Sequence, residues 1–353
     1  MRVAIRVDSS VQIGYGHLSR TLNIARELRS RGSEVCFICR DLDLNGLHWI
    51  EAAGFRALVL PRPLTVFAPI DPNPKRLAWL GVALEEEIAQ SKAALKKLGG
   101  ADWLLVDSYA LDYRYEKAAR EFCRQIAVLD DLADRAHEAD LLIDGAYMRD
   151  SGDYRSLFGG KPLCGAKYLP LNLDYGRYRA LALPRRFPPK TILIAAGGID
   201  AANLTSAALN AIAESRFSNA AIVAVLSARA PHIASNKRLS RELGLKVDWR
   251  LDASDIPLLI LRADLGMGAL GMGAYERACL ALACVTIAAA DNQRENLLRL
   301  SAAGAVIAEE SFAKALEYLD EARVRACERA AFDICDGLGA ARICDEMESA
   351  ALR

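Results

Sequence analysis

The residues best placed to do chemistry stand in one short run, Asp8-Ser-Ser-Val-Gln-Ile-Gly14-Tyr15-Gly16-His17-Leu-Ser-Arg20, between the first apolar stretch and a helical pattern that begins at Leu18. Glycines at 14 and 16 permit a tight turn and close approach of the backbone to a ligand, and a helix N-terminus favours negative charge. A histidine at the end of a strand can take a proton near neutral pH, which suits a general base acting on water. The plainer role for His17 is a helix cap or a packed turn residue. The run is not a dinucleotide fingerprint, since Gly14-Tyr15-Gly16-His17 lacks the third glycine and no acidic residue clearly stands about 20 residues on to hold a ribose. No G-x-x-x-x-G-K-[ST] occurs either, so dehydrogenase and P-loop chemistries are both disfavoured.

Five further loops carry polar groups after apolar runs. Gly197-Gly198-Ile199-Asp200, followed by Asn203 and Thr205, offers backbone amides to a phosphate or sugar. Gly266-Met-Gly-Ala-Leu-Gly271-Met272-Gly273-Ala274-Tyr275-Glu276-Arg277 is richer, because small residues open a helix with a carboxylate one turn in. Such a turn would set a diphosphate over the helix N-terminus and let Glu276 accept hydrogen bonds from ribose hydroxyls. A capping arrangement or an ion pair with Arg277 accounts for Glu276 equally well. Asp291-Asn292-Gln293 supplies amides that fix hydroxyls without adding charge, or else caps a helix. Asp107-Ser108-Tyr109 ends a strand; Tyr109 is placed to touch a ligand and Asp107 to hold the turn. Asp130, Asp131 and Asp134 superficially suggest a magnesium site, but adjacent carboxylates in an extended segment point apart and caps explain them, so no metal site is expected.

The elements that must position these loops follow from periodicity. Val3 to Val7, Val35 to Ile38, Ala57 to Leu60, Trp103 to Val106, Ile126 to Leu129 and Leu141 to Ile143 read as buried strands, and Leu18 to Arg31, Leu84 to Leu98 and Tyr113 to Cys123 as helices. Strands alternating with helices imply a parallel sheet covered on both faces. A proline-rich segment, 183–190, then reads as a linker, and the alternation restarts at Thr191 with strands at Thr191 to Ala196, Ala221 to Leu226, Ala263 to Leu265 and Val285 to Ala289. The expected architecture is α/β, two doubly wound Rossmann-like lobes of residues 1–182 and 191–353. Open sheets of this kind bind ligands outside the carboxyl ends of their strands, here facing a central cleft. The last helical stretch, Phe312 to Ala350, should break at Gly337-Leu-Gly339.

Composition narrows the function. The 353 residues are 52% hydrophobic, enough for two cores, and 45 basic side chains balance 45 acidic ones. No global field draws the chain to nucleic acid or an anionic membrane. Charge within the first apolar run argues against a signal peptide, and the longest apolar run falls short of the ~20 residues that span a bilayer. A cytoplasmic protein is expected, with its nine cysteines reduced and structural. Cys36 and Cys39 lie in a strand that points their sulfurs to opposite faces.

Taken together the motifs resemble a known family, the UDP-2,4-diacetamido-2,4,6-trideoxy-β-L-altropyranose hydrolases of pseudaminic acid (nonulosonic acid) biosynthesis, glycosyltransferase-B proteins similar to the MurG transferase. The likeness is carried by Arg6-Val-Asp8 through His17 to Arg20, by Asp107-Ser-Tyr109-Ala-Leu-Asp112, by Asp130 through His137 to Asp140, by Gly197-Gly198-Ile-Asp200, and by Glu276-Arg277 and Asp291-Asn292-Gln293. It implies a metal-independent, cofactor-free hydrolase that releases UDP from a UDP-sugar, with His17 activating water. The substrate-binding set would be Gly14, Tyr15, Gly16 and Tyr109 in the first lobe, and Gly197, Gly198, Gly271, Met272, Gly273, Glu276, Asn292 and Gln293 in the second. A monomer without nucleic-acid or membrane partners is expected. The chain departs from the family at Gly271-Met272-Gly273-Ala274, where relatives carry hydroxyl residues, and at Ile199, Gly145 and Asn172. A transferase using the same donor, or a silent sugar-nucleotide binding protein, are the competing readings.

Overall fold

The computed structural model describes residues 1–64, 76–182, 184–289 and 293–351. The chain divides into two compact units, Met1–Pro170 with Leu338–Arg353, and Leu171–Gly337.

In the first unit the strands β1 (Arg2–Val7), β2 (Glu34–Arg40), β3 (Arg56–Leu60), β4 (Ala101–Asp107), β5 (Cys123–Leu129), β6 (Leu141–Asp144) and β7 (Leu163–Cys164) form one parallel sheet in the order β3-β2-β1-β4-β5-β6-β7. Its helices are α1 (Gly16–Ser30), α2 (Leu47–Ala52), α3 (Leu84–Leu98) and α4 (Tyr113–Ala119). The central strands are buried runs such as Trp103-Leu-Leu-Val106, as a sheet covered on both faces requires. Helix α1 buries Leu18, Leu22, Ala25 and Leu28 at helical spacing. Helix α3 opens with Glu85, Glu86 and Glu87, closes with Lys96 and Lys97, and stops at Gly99 with φ 79°. Those charges complement its dipole, and the left-handed cap needs glycine.

The second unit has a parallel sheet of β8 (Thr191–Ala195), β9 (Ala221–Leu226), β10 (Val247–Leu251), β11 (Leu265–Ala269) and β12 (Cys284–Ile287), ordered β10-β9-β8-β11-β12. Around it lie α5 (Leu173–Tyr178), α6 (Leu204–Glu214), α7 (Ile233–Glu242), α8 (Ile256–Arg262), α9 (Met272–Cys279), α10 (Arg294–Ala302), α11 (Phe312–Glu317) and α12 (Glu321–Phe332). Strand direction of travel reverses beside β1, between it and β4, and again between β8 and β11. A crevice opens at the carboxyl ends of the strands at such a switch point. The loops after β1 and β4 therefore meet in one unit, and those after β8 and β11 in the other.

The segment with linker-like composition lies within the second unit. Leu183 falls outside the described residues, but the Arg185 guanidinium donates to the carbonyls of Leu261, Ala263 and Leu280. Asp264 accepts from the backbone N–H groups of Arg186, Lys190 and Thr191. Beyond α12 the chain breaks at Gly337, as the glycine pair implies, and a final helix, α13 (Gly339–Ala351), belongs to the first unit. Arg31 of α1 pairs with Asp345 at 2.6 Å and Glu348 at 3.0 Å on α13, and Ile343, Cys344 and Met347 are fully buried. Only glycine fits at 339, since a Cβ there would stand 2.1 Å from the Leu169 carbonyl oxygen. No helix among the described residues is long and apolar enough to cross a membrane.

Candidate active site

His17 is the second residue of α1, and the helix takes no side-chain cap from it or from Tyr15. Its ring is instead committed to β4: Nδ1 lies 2.6 Å from Asp107 Oδ1. Asp107 is 1% exposed, and burial alone would raise its pKa. The Arg20 charge and then that of His17 overcome this and hold it at about 2. An ionised carboxylate only accepts hydrogen bonds, so Nδ1 carries the shared proton, and the lone pair with which the ring can take up a further proton is on Nε2. Nε2 makes no hydrogen bond among the described residues. Arg20 completes the triangle, donating from Nε and Nη2 to the two Asp107 oxygens at 2.7 Å each. Asp107 does more than hold its turn, and the signal for its partner is register, since Val7 pairs with Asp107 across β1 and β4.

The approach loop is anchored at several points. Gly14 holds φ 75°, a conformation that favours glycine, and Gly16 is exposed with open space at its Cβ position. Tyr15 is buried, its ring set edge-on to Trp49 at 4.6 Å and its hydroxyl donating to the Leu44 carbonyl. Its side chain thus ties the loop to α2. Asp8 receives the Arg6 guanidinium through two 2.6 Å bonds and the Arg40 N–H at 2.7 Å, while Glu87 joins Arg6 and Arg40 from α3. Removing one member of such a buried ionic set costs about 3 to 5 kcal/mol, because a charge is left uncompensated.

Tyr109 meets His17 edge to face, with ring centroids 4.4 Å apart. Trp79, a residue no sequence motif picked out, lies beyond it at 5.8 Å. The acidic run separates as expected of adjacent carboxylates: Asp130 turns to Arg135 and Tyr154, and Asp131 to Arg20. Among the described residues no group of His, Cys, Asp and Glu is arranged to hold a metal ion. His137 is buried between Glu116, at 2.7 Å, and Asp130, at 3.8 Å. Burial would lower its pKa, but these carboxylates raise it to about 9. A raised folded-state pKa contributes stability that is complete below the unfolded value, near 6.5, and is lost as pH rises through the folded one. Wild type is therefore expected to lose on the order of 3 kcal/mol more than His137→Gln between about pH 6.5 and 9, read as the difference between their urea-unfolding curves; parallel curves would refute the assignment.

In the second unit Gly197, at φ 102°, and Gly198 follow β8. Asp200 accepts from the N–H groups of Leu204 and Thr205 at 2.8 and 3.0 Å and so caps α6. Gly266 and Gly268 are not turn residues as their composition suggests but lie within the buried strand β11. The turn is Leu270-Gly271, where Gly271 holds φ 141° before α9. Met272, Gly273 and Glu276 are all partly exposed on α9. Burial raises the Glu276 pKa against the Arg277 charge and the Tyr175 hydroxyl. Arg277 forms no ion pair with it and bonds instead to backbone carbonyls. Gln293, ahead of α10, accepts from Ala289 N–H at 2.8 Å, and its Nε2 lies 3.9 Å from where a Gly271 Cβ would be. Asn292 lies outside the described residues.

No protein-family model matches the chain. An uncharacterized protein of Methanocaldococcus jannaschii is 25% identical over 214 residues, 58% of this chain and 38% of that protein, so the match spans well under half of the relative's length. Among solved structures, Acinetobacter baumannii MurG aligns with a TM-score of 0.65 at 13% identity, over 99% of each chain. The Neisseria meningitidis UDP-GlcNAc 2-epimerase bound to UDP-GlcNAc aligns at 0.60 and 13% identity over 99% of this chain and 100% of that one. An S. aureus MnaA–UDP structure aligns at 0.61 and 11% identity over 98% and 96%. These likenesses define the class of fold: the chain has the two parallel-sheet α/β lobes of the glycosyltransferase-B fold.

Proposed function

We propose that this protein is a nucleotide-sugar hydrolase that releases UDP from a UDP-linked 2,4-diacetamido-2,4,6-trideoxyhexose. The observation that carries the reading is the His17–Asp107 pair, with Nδ1 fixed by a buried carboxylate and Nε2 left for chemistry. Nε2 takes a proton from water as the water oxygen bonds to the anomeric carbon. The bond from that carbon to the diphosphate breaks, and UDP leaves with the electron pair. Asp107 stabilises the imidazolium that forms. In the second unit the N-terminus of α9, opened by Gly271, receives the diphosphate, and Glu276 and Gln293 bind the nucleoside. The structural neighbours named for UDP or a UDP-sugar support the choice of nucleotide.

A transferase reading draws support from the fold of MurG, since the same base would activate an acceptor hydroxyl. One assay separates the readings. Purified protein incubated with UDP-linked diacetamido sugars alone is expected to liberate UDP at a rate that EDTA does not change. Release only when an acceptor is added would make it a transferase, and saturable binding without release would leave a silent binding protein.

A further inference from the structure

The glycines around β11 and α9 surround a side chain. Arg277 is 1% exposed, and a helical side chain leans back toward the residue four positions before it. That residue is Gly273, whose Cβ would stand 3.2 Å from Arg277 Nη1. Cβ atoms at Gly266 and Gly268 would stand 3.0 Å from Arg277 Cδ and 3.4 Å from Nη1. Three of the glycines in this segment therefore form a sleeve that lets a guanidinium lie against the first turn of α9. From there Nη1 donates to the Ala195 carbonyl at 3.2 Å and Nη2 to that of Ala269 at 3.0 Å, the last residues of β8 and β11. Arg277 thus fastens together the two strand ends from which the Gly197 and Gly271 loops begin.

Its charge, like that of the buried Arg185 in the same unit, is met by backbone carbonyls and not by a paired carboxylate. Buried arginines are ordinarily matched by carboxylates, as Arg6 and Arg40 are by Asp8 and Glu87 in the first unit. Arg277 makes no ion pair among the described residues, and its buried Nε has no hydrogen-bond partner there. A cation kept in this state is stabilised by an anion placed near it, and the helix N-terminus above it adds partial positive charge of its own.

We propose that Arg277 is a positioning residue of the nucleotide site, aligning the loops after β8 and β11 and supplying a buried positive charge behind the α9 N-terminus that favours a nucleoside diphosphate. The proposal rests on the nucleotide-binding reading given above. It predicts discrimination by phosphate charge without direct contact. The test is calorimetric titration of wild type, Arg277→Met and Arg277→Lys with UDP, UMP and uridine, with circular dichroism to verify folding. Arg277→Met is expected to weaken UDP about tenfold or more and UMP by less, leaving uridine nearly unchanged. Arg277→Lys, which keeps the charge but cannot span both carbonyls, should fall between, and it carries the test alone if the methionine variant does not fold. Equal losses for all three ligands, or none, would overturn the role of Arg277 alone. Wild-type protein that binds none of the three would overturn the nucleotide-site reading, and this proposal with it.

Discussion

His17→Asn is expected to slow UDP release by about 10² to 10⁴-fold while leaving UDP affinity unchanged. Asparagine keeps a side-chain donor for Asp107 but has no basic lone pair, so the loss isolates proton transfer from packing. The nucleotide contacts are assigned to the second unit, and a residue acting only in the transition state lowers turnover without altering ground-state binding. Stopped assays at saturating substrate, with calorimetric UDP titration of the same preparation, give both quantities. Near-normal turnover in the variant would show that His17 serves the fold and that another group activates water.

Asp107→Asn should be nearly as damaging, by about 10² to 10⁴-fold, for a different reason. A neutral amide can donate to Nδ1, which moves the ring proton to Nε2 and leaves the base with its lone pair facing the wrong way. It also leaves Arg20 without the carboxylate that receives two of its hydrogen bonds. Because both residues act through one proton, the double variant should be no slower than His17→Asn alone. Multiplying effects would instead show that Asp107 contributes separately, for instance by holding α1 against β4.

Much of the first unit could be read from the chain because its signals are local. The Val3 to Val7 and Trp103 to Val106 runs, the acid-to-base course of α3 and the glycines around His17 each announce themselves in a few residues. What escaped was set by partners distant in sequence. Asp107 looked like a turn residue because nothing near it names His17, ninety positions earlier. Strand β11 reads from the sequence only as far as Leu265 because Gly266 and Gly268 are poor strand formers, yet their smallness is dictated by Arg277 and by the Ala195 carbonyl of the adjacent strand. Strand β10 went unread because Asp248 and Arg250 interrupt an edge strand that is only partly buried. Arg185 and Asp264 make the proline-rich segment part of a folded unit, and composition alone could not show those bonds.

The route of the chain also sets an order of assembly. Residues 1–170 emerge from the ribosome first, but the helix that covers α1 is made only after all of 171–337. The second unit can close as soon as its own last helix, α12, is made, whereas in the first α1 stays without the helix that packs on it until α13 arrives. The half of the protein that is born first is therefore the last to be finished. During that interval the nascent chain exposes a hydrophobic surface of the kind that chaperones bind.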